Sequence, residues 1–193
     1  RSKSPGLRDP ETLARMHKAA AVLQQKLEGE MLLRHPEWKM ADRRLLQHIQ
    51  PDGSVLLPDA RYPLRDAHLP TVNPADPYRL TPEEADCVQR LQHSFLYSKT
   101  LWKQMHWMVS HGAMSLVREE NLIFHGCIPV DFSGHFLPMT IHGRECRGRA
   151  LFETIEQEVY ALIDRPDPEA SDLLWYLWSG PNSPLFGKDR ITT

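Results

Sequence analysis

The sequence predicts an α+β fold in which a largely helical part, residues 1–111, precedes a mixed part, residues 112–193. Two long segments of the first part place apolar residues at the three- and four-residue spacing of an amphipathic helix. Beyond residue 112 the pattern changes to short apolar runs separated by glycines and charged turns, which is typical of β-hairpins. Two further helical stretches follow these hairpins.

The composition is that of an ordinary soluble globular protein, and it excludes several classes of function. Apolar residues make up 41% and charged residues 25% of the 193-residue chain. The formal net charge of −2 gives no field that would attract nucleic acid or an anionic membrane. No apolar run approaches the roughly 20 residues of a membrane-spanning helix, and the first residues do not form a signal peptide. Three widely spaced cysteines favour a reducing cytoplasm over a disulfide framework.

The first predicted helix begins after Asp9, a favoured N-cap residue, with Pro10 at the first helical position. Apolar residues then recur along one stripe as far as Met31. Such a stripe suits a membrane surface, a partner or the domain's own core, and the mixed charges on the polar face favour the core. The helix is expected to end before Pro36, because a residue that precedes proline avoids the α conformation.

Less regular structure is predicted up to residue 80. A second helix is expected over about residues 37–49. Short apolar runs at 55–57 and 61–64 predict a small hairpin, and the proline-rich residues 65–80 predict an extended surface loop.

The strongest helix signal begins at Thr81, which is followed by proline and by Glu84, the residue that completes a capping box. The helix is expected to end at Gly112, with a break near Tyr97-Ser98. Its inner face is predicted to consist of Val88, Leu91, Phe95, Leu101, Trp102, Met105, Met108 and Val109.

In the second part, apolar runs at 114–117 and 122–124 flank a charged turn and predict a first hairpin, with 122–124 as a buried strand. A second hairpin is expected between residues 132 and 143. Helices are then predicted at about 148–163 and 169–178.

His125, directly after the strand 122–124, is the first candidate functional residue. Gly126 allows a sharp turn and a close approach of another group, and Pro129 cannot continue a strand ladder. Neutral imidazole is the commonest metal ligand in proteins, so His125 is a candidate ligand, although a single histidine in such a place is more often structural. Cys127 is either a soft ligand or, more simply, a small packed residue.

The second candidate is the loop from residue 180 to residue 190. Two glycines and two prolines restrain this segment, which presents amide, hydroxyl and cationic groups of the kind that a phosphate ester binds. The alternative is a solvated turn with an exposed basic end. The candidate residues are Asn182, Ser183, Lys188 and Arg190.

Three stretches support a specific family. They are Met16-His-Lys-Ala with Lys26-Leu-Glu-Gly, Asn121-Leu-Ile-Phe-His-Gly-Cys-Ile-Pro129, and the segment from Asp172 to Arg190. Together they resemble the class III (bacterial) fructose-1,6-bisphosphatases, whose core is a calcineurin-like metallophosphoesterase. The resemblance implies a largely helical insertion followed by part of an α/β/β/α sandwich with an incomplete core. The Asp-x-His-Gly, Gly-Asp-x-x-Asp-Arg, Gly-Asn-His and Gly-His-x-Pro motifs of such enzymes are absent, so we expect an internal fragment of a longer enzyme.

The resemblance also implies roles for the candidate residues. His125 would hold one of two divalent ions, manganese being the expected metal, and Arg190 would be catalytic by offsetting transition-state charge. Asn182, Ser183 and Lys188 would bind substrate. The reaction would convert fructose 1,6-bisphosphate into fructose 6-phosphate and phosphate in gluconeogenesis. A cytoplasmic homo-oligomer that binds a sugar bisphosphate, and neither nucleic acid nor membrane, is expected.

A hypothesis of a different class is a non-catalytic helical module for interaction or oligomerisation. One histidine without a carboxylate partner does not hold two metal ions, so both hypotheses predict that the chain alone is inactive. A missing sheet partner would also leave apolar strand edges exposed.

Overall fold

The computed structural model describes residues 9–164 and 168–187. The chain divides into two compact units between His93 and Ser94. Within the described residues there are five α-helices, three short 3-10 helices and three two-stranded antiparallel sheets, so the predicted α+β class is confirmed. None of the described helices combines the length and apolar character needed to cross a membrane.

Helix α1 (Pro10–Arg34) begins and ends where the sequence predicts. The Asp9 carboxylate accepts a hydrogen bond from the Thr12 N–H at 3.0 Å, and the helix stops at the C-cap residue His35. An N-cap carboxylate satisfies one of the N–H groups that a helix start leaves without an acceptor. The local capping signals were therefore sufficient to place both ends of this helix.

The predicted helix at 37–49 is wrong. The structure has three 3-10 helices instead, namely Pro36–Trp38, Ala41–Arg43 and Leu45–His48. Lys39 lies between the first two with a φ of 55°, a left-handed conformation that no α-helix contains. These short turns still bury Met40 and Leu46, two of the residues whose spacing had suggested an α-helix.

Strands β1 (Ser54–Leu56) and β2 (Arg61–Pro63) form the predicted small hairpin. The residues that follow, as far as Thr81, contain no regular helix or strand, as predicted. Tyr78 in this loop packs against Gly29 of α1, where a Cβ atom would lie 2.1 Å from the tyrosine ring. The loop approaches α1 closely because position 29 has no side chain.

Helices α2 (Pro82–Leu96) and α3 (Lys99–His111) are separated at Tyr97-Ser98, as predicted. Their predicted inner face is confirmed only in part, because none of its residues is fully buried. Three of them are exposed, namely Leu91, Phe95 and Met108, and five are half-buried, namely Val88, Leu101, Trp102, Met105 and Val109. Phe95 is 62% exposed and Met108 is 53% exposed, and none of the residues of these two helices is buried. Helical spacing identifies an apolar stripe, but it does not determine whether another element covers that stripe.

Lys26, a fully buried residue of α1, ties the first unit together. Its Nζ donates hydrogen bonds to Thr71 O at 2.6 Å, Arg79 O at 3.0 Å and Glu84 Oε2 at 2.7 Å. The same Glu84 oxygen accepts from the Thr81 N–H at 2.8 Å, which confirms the predicted capping box. Burial acts to raise the pKa of Glu84, but hydrogen bonds from Lys26, Thr71 and Thr81 outweigh it, so this pKa is below its ordinary value.

The core of the second unit lies between helices α4 (Gly148–Asp164) and α5 (Pro168–Ser179) and a hairpin. This hairpin consists of β5 (Met139–Ile141) and β6 (Arg144–Cys146), joined through the His142-Gly143 turn. Leu151 and Ile155 are fully buried and lie four residues apart on α4, as the apolar spacing predicts. The core cluster consists of Ile141, Cys146, Leu151, Ile155, Leu173 and Leu177.

Strands β3 (Ser115–Arg118) and β4 (Asn121–Phe124) form the first predicted hairpin of this unit, with Ser115 opposite Phe124. The turn consists of Glu119 and Glu120, both with positive φ. These are the left-handed conformations that a two-residue hairpin loop adopts because they match the twist of the strands.

The prediction that residues 122–124 are a buried strand is wrong. Leu122 is 49% exposed, Ile123 54% and Phe124 37%. Phe124 contacts Phe152 of α4 edge to face, with ring centroids 6.3 Å apart. A two-stranded sheet leaves much of its apolar surface open, and a run of three apolar residues does not reveal how many strands flank it.

Candidate functional site

Strand β4 ends at Phe124 and places His125 directly beyond it, as the sequence predicts. The His125 side chain is exposed, and its imidazole has no hydrogen-bond or ion-pair partner among the described residues. Both ring nitrogens are therefore available to a ligand from solvent.

Helix α4 holds the chain where it enters this hairpin. The Met114 N–H donates a hydrogen bond to Glu156 Oε1 at 2.5 Å, and the Tyr160 hydroxyl donates to Gly112 O at 3.1 Å. These two side chains fix the start of β3 on the core helix. The position of His125 thus depends on α4 as well as on its own strand.

The residues after the strand contact the second candidate segment, the loop of residues 180–187. The Cys127 N–H donates to Pro184 O at 3.0 Å, and the Cys127 thiol lies 3.6 Å from Ser183 O. Cys127 and Ser183 are 56 residues apart in the sequence. The fold therefore brings together two segments that the sequence indicated separately.

The 180–187 loop is held on α5 by side chains that bond to its backbone. The Tyr176 hydroxyl donates to Pro181 O, and the Ser183 hydroxyl donates to Leu177 O and accepts from the Leu185 N–H at 3.2 Å. Ser183 is fully buried, so its hydroxyl is engaged within the loop and does not face solvent. Asn182 is exposed at the tip, with a φ of 62°.

Lys188 and Arg190, the other two predicted site residues, lie outside the described residues. Where the structure is described, no group of three or more His, Cys, Asp or Glu side chains is placed to hold a metal ion. Burial raises the pKa of the Cys127 thiol, which keeps it in the neutral form that binds metals poorly. His125 alone does not hold an ion, so these residues do not by themselves fit a complete two-metal centre.

A cavity of about 450 Å³ opens between the β3–β4 hairpin and α4, and His125 does not line it. Arg149 at this cavity is ion-paired with Glu153 at 2.7 Å. The Arg149 side chain is 91% exposed, and the carboxylates of Glu153 and Glu156 also line the cavity. Because carboxylates repel a phosphate group, this cavity is not the candidate site. Its apolar lining includes Val117, Leu122, Ile128, Phe136 and Phe152.

Sequence reasoning missed the residues that position the two segments. Tyr176 lies in the apolar run Leu-Leu-Trp-Tyr-Leu-Trp, where it resembles any other core residue. Glu156 and Tyr160 lie on α4 among residues typical of a helix surface. Glu156 and Tyr160 bond to backbone atoms 42 and 48 residues away, so no local pattern could have identified them. Tyr176 bonds to a carbonyl only five residues away, but every residue carries a carbonyl, so this partner also leaves no mark in the sequence.

The family model described as Firmicute fructose-1,6-bisphosphatase matches residues 3–193. The chain is 42% identical over 191 residues to the class 3 fructose-1,6-bisphosphatase of Clostridium tetani, a match that covers 96% of this chain. Identity is 42% over 185 residues with the Lacticaseibacillus casei enzyme and 39% over 197 residues with that of Clostridium acetobutylicum, covering 94% and 99% of this chain. No solved structure shows a significant match.

The chain spans only 29–30% of the length of these curated relatives. The match nevertheless runs through nearly the whole chain and includes both the His125 strand end and the 180–187 loop. The resemblance seen in the sequence is confirmed, and the chain belongs to the Firmicute fructose-1,6-bisphosphatase family.

Proposed function

We propose that this chain supplies part of the metal and substrate site of a class 3 fructose-1,6-bisphosphatase. The enzyme would hydrolyse fructose 1,6-bisphosphate to fructose 6-phosphate and phosphate. The supporting observation is the hydrogen bond from the Cys127 N–H to Pro184 O, since it holds the chain two residues after the exposed His125 against the fixed 180–187 loop. The reaction is the one named for the relatives in Clostridium tetani and Lacticaseibacillus casei.

In this proposal His125 is one ligand of a divalent ion, for which Mn²⁺ is the expected metal. Its ring, which is exposed and has no partner in the described part of the chain, suits that role, and the remaining ligands must come from outside the described residues. Such an ion, when bound, stabilises negative charge on phosphoryl oxygens. The β3–β4 hairpin would then belong to a calcineurin-like sandwich whose other strands cover its open faces.

The 180–187 loop would contact the phosphate group. The exposed Asn182 amide is a hydrogen-bond donor for phosphate oxygens, and Lys188 with Arg190 would add positive charge directly after the loop. Ser183 would contribute by holding the loop backbone in place. The cytoplasmic location and the homo-oligomeric state remain predictions.

The test is a chimera in which this chain replaces the matched segment of the Clostridium tetani enzyme. Phosphate release from fructose 1,6-bisphosphate with manganese should approach that of the parent enzyme. The substitution His125→Ala should lower kcat/KM by at least about 100-fold, since losing even the outer-shell partner of a metal ligand costs about 10–100-fold.

The matched control is His135→Ala, at an exposed histidine that pairs with Asp131 at 3.3 Å. This change should leave activity within about twofold, as surface changes usually do. Full activity in the His125→Ala chimera would overturn the metal-ligand role. A chimera that folds and assembles like its parent but releases no phosphate would overturn the proposed function.

A second candidate, a non-catalytic interaction module, is favoured by the exposed apolar residues of α2 and α3. Phe95 is 62% exposed, Tyr97 between the helices 72% and Trp107 65%. Sedimentation of the chimera, measured together with its phosphate release, separates the two ideas. Assembly like that of the parent enzyme without phosphate release would favour the module.

A further inference from the structure

We infer that Gly126 is a positioning residue, which sets the distance between His125 and the 180–187 loop. Its missing side chain lets the end of β4 lie directly against the loop backbone. This inference rests on the proposed function, because it concerns the same two segments. Gly126 itself would neither bind metal nor contact substrate. It would determine how His125, the proposed metal ligand, is arranged relative to the loop that contacts the phosphate.

The first support is the space around Gly126. A Cβ atom at this position would lie 2.3 Å from Pro184 O and 3.1 Å from both the carbonyl carbon and the oxygen of Leu185. Contacts below 3.0 Å essentially never occur for real Cβ atoms. The φ of Gly126 is not positive, so glycine is required here for the close approach and not for an unusual backbone angle.

The second support is that the obstructing atoms have little freedom to move. They belong to backbone and not to the end of a flexible side chain, and Pro184 is itself buried. The loop is also pinned to α5 by the Tyr176 and Ser183 hydroxyls. An added methyl group must therefore separate the strand end from the loop, and it would do so one residue from His125.

The contact can be measured in the chain itself, independently of any activity. The half-buried Cys127 thiol lies against Ser183 O of the loop, so it should react faster with an aromatic disulfide reagent when the contact opens. A Cys87→Ser background removes the exposed thiol, and Cys146 is only 2% exposed. In this background Gly126→Ala should accelerate the Cys127 reaction by about tenfold or more, because solvent access controls thiol reactivity. Exchange of the Cys127 amide proton should accelerate in parallel.

Gly134→Ala is the matched control. This glycine has a φ of 83°, so alanine is strained there, but a Cβ atom would meet nothing within 4 Å. The control makes the same chemical change and destabilises the chain without touching the loop. It should leave the rate of the Cys127 reaction unchanged.

The consequence for function is measured in the chimera with the Clostridium tetani enzyme. Gly126→Ala should raise the KM for fructose 1,6-bisphosphate about tenfold, because the metal side and the loop would no longer contact the substrate at the same time. Loss of folded protein alone would lower kcat and leave KM unaltered. Tyr176→Phe keeps the ring but loses the bond to Pro181, so it should shift KM in the same direction by less.

The outcomes separate this inference from the proposed function. An unchanged Cys127 reaction in Gly126→Ala overturns the positioning role whatever the chimera does. If that variant fails to fold, Tyr176→Phe decides by the same two readouts. An opened contact with unaltered KM in an active chimera overturns the inference and leaves the proposed function intact. An inactive chimera overturns the proposed function and with it the link to substrate, while the thiol result still decides whether Gly126 holds the contact.

Discussion

Replacing Lys26 with methionine should destabilise the first unit, because the buried ammonium group of Lys26 joins three segments of the chain. Methionine preserves most of the aliphatic volume of lysine. It leaves Thr71 O, Arg79 O and the Glu84 carboxylate without the donor that they share. The change therefore tests the charge and its hydrogen bonds, with packing nearly constant.

The expected loss of stability is about 3 kcal/mol. Breaking a buried ion pair by removing one partner costs about 3–5 kcal/mol, because the other charge stays buried without compensation. The lower end applies here, since the Glu84 side chain retains 12% exposure and still accepts from the Thr81 N–H. A second substitution, Glu84→Gln, removes the orphaned charge and should recover about 1 kcal/mol or more of that loss.

Hydrogen exchange of α1 amides, followed by mass spectrometry, measures the effect within this unit. A loss of about 3 kcal/mol corresponds to exchange roughly 100-fold faster. Lys18→Met is the control on the same helix, because the Lys18–Asp66 pair is partly exposed and such pairs contribute about 1 kcal/mol at most. Equal acceleration in the Lys26→Met and Lys18→Met proteins would refute the reasoning. So would a double variant with Glu84→Gln that is less stable than Lys26→Met alone.

The network also predicts a pH dependence. The pKa of Glu84 in the folded chain is below its ordinary value of 4.5. Its carboxylate therefore contributes stability that is complete above pH 4.5 and is lost as the pH falls through the lower, folded value. The wild-type chain should lose more protection of α1 between about pH 5 and pH 3 than Lys26→Met does.

Two further predictions concern the second unit. Leu151→Ala should destabilise it by about 3–4 kcal/mol in urea unfolding, because Leu151 is fully buried in the core cluster. Leu174→Ala, at a side chain that is 41% exposed, should cost less than about 1 kcal/mol. Equal losses of stability in the two variants would contradict the placement of Leu151 in the core. Ile123→Lys, at a position 54% exposed on the β3–β4 hairpin, should change stability by less than about 0.5 kcal/mol. It should also weaken any self-association seen by sedimentation, and association that persists unaltered would exclude the hairpin as the surface responsible.

The features that the sequence predicted correctly are those determined within a few residues. The Asp9 cap and the Thr81–Glu84 capping box bond to N–H groups three residues away or closer, so their residue types suffice. The Glu119-Glu120 turn is bounded by apolar runs on both sides, which fixes both strand ends. Burial was predicted least well, since the exposure of Phe95 or Ile123 depends on what other elements cover it.

The same distinction applies to the candidate site. His125 and the 180–187 loop were identifiable one at a time, from a strand end and from a glycine- and proline-rich run. Their contact was not, because the Cys127 N–H and Pro184 O that make it are backbone groups present at almost any position. The contact requires a glycine at position 126, and this is its only requirement on the local sequence. Glycine follows many strands simply because the chain turns there, so Gly126 did not reveal the contact.

The fixed 180–187 loop beside the exposed His125 favours an incomplete catalytic site over an interaction module. An interaction surface made by the hairpin or by α3 would not require a rigid loop elsewhere. Yet the 180–187 loop is fixed by a fully buried Ser183, by Tyr176 and by backbone contact with Cys127. Beside this loop His125 is exposed and, among the residues that the structure describes, without a partner. A rigid loop favours binding where a charged ligand must be held at a set distance from another group. Because the loop is already ordered, little conformational entropy is lost when the ligand binds. An exposed imidazole next to such a loop is the arrangement expected where further metal ligands complete the site.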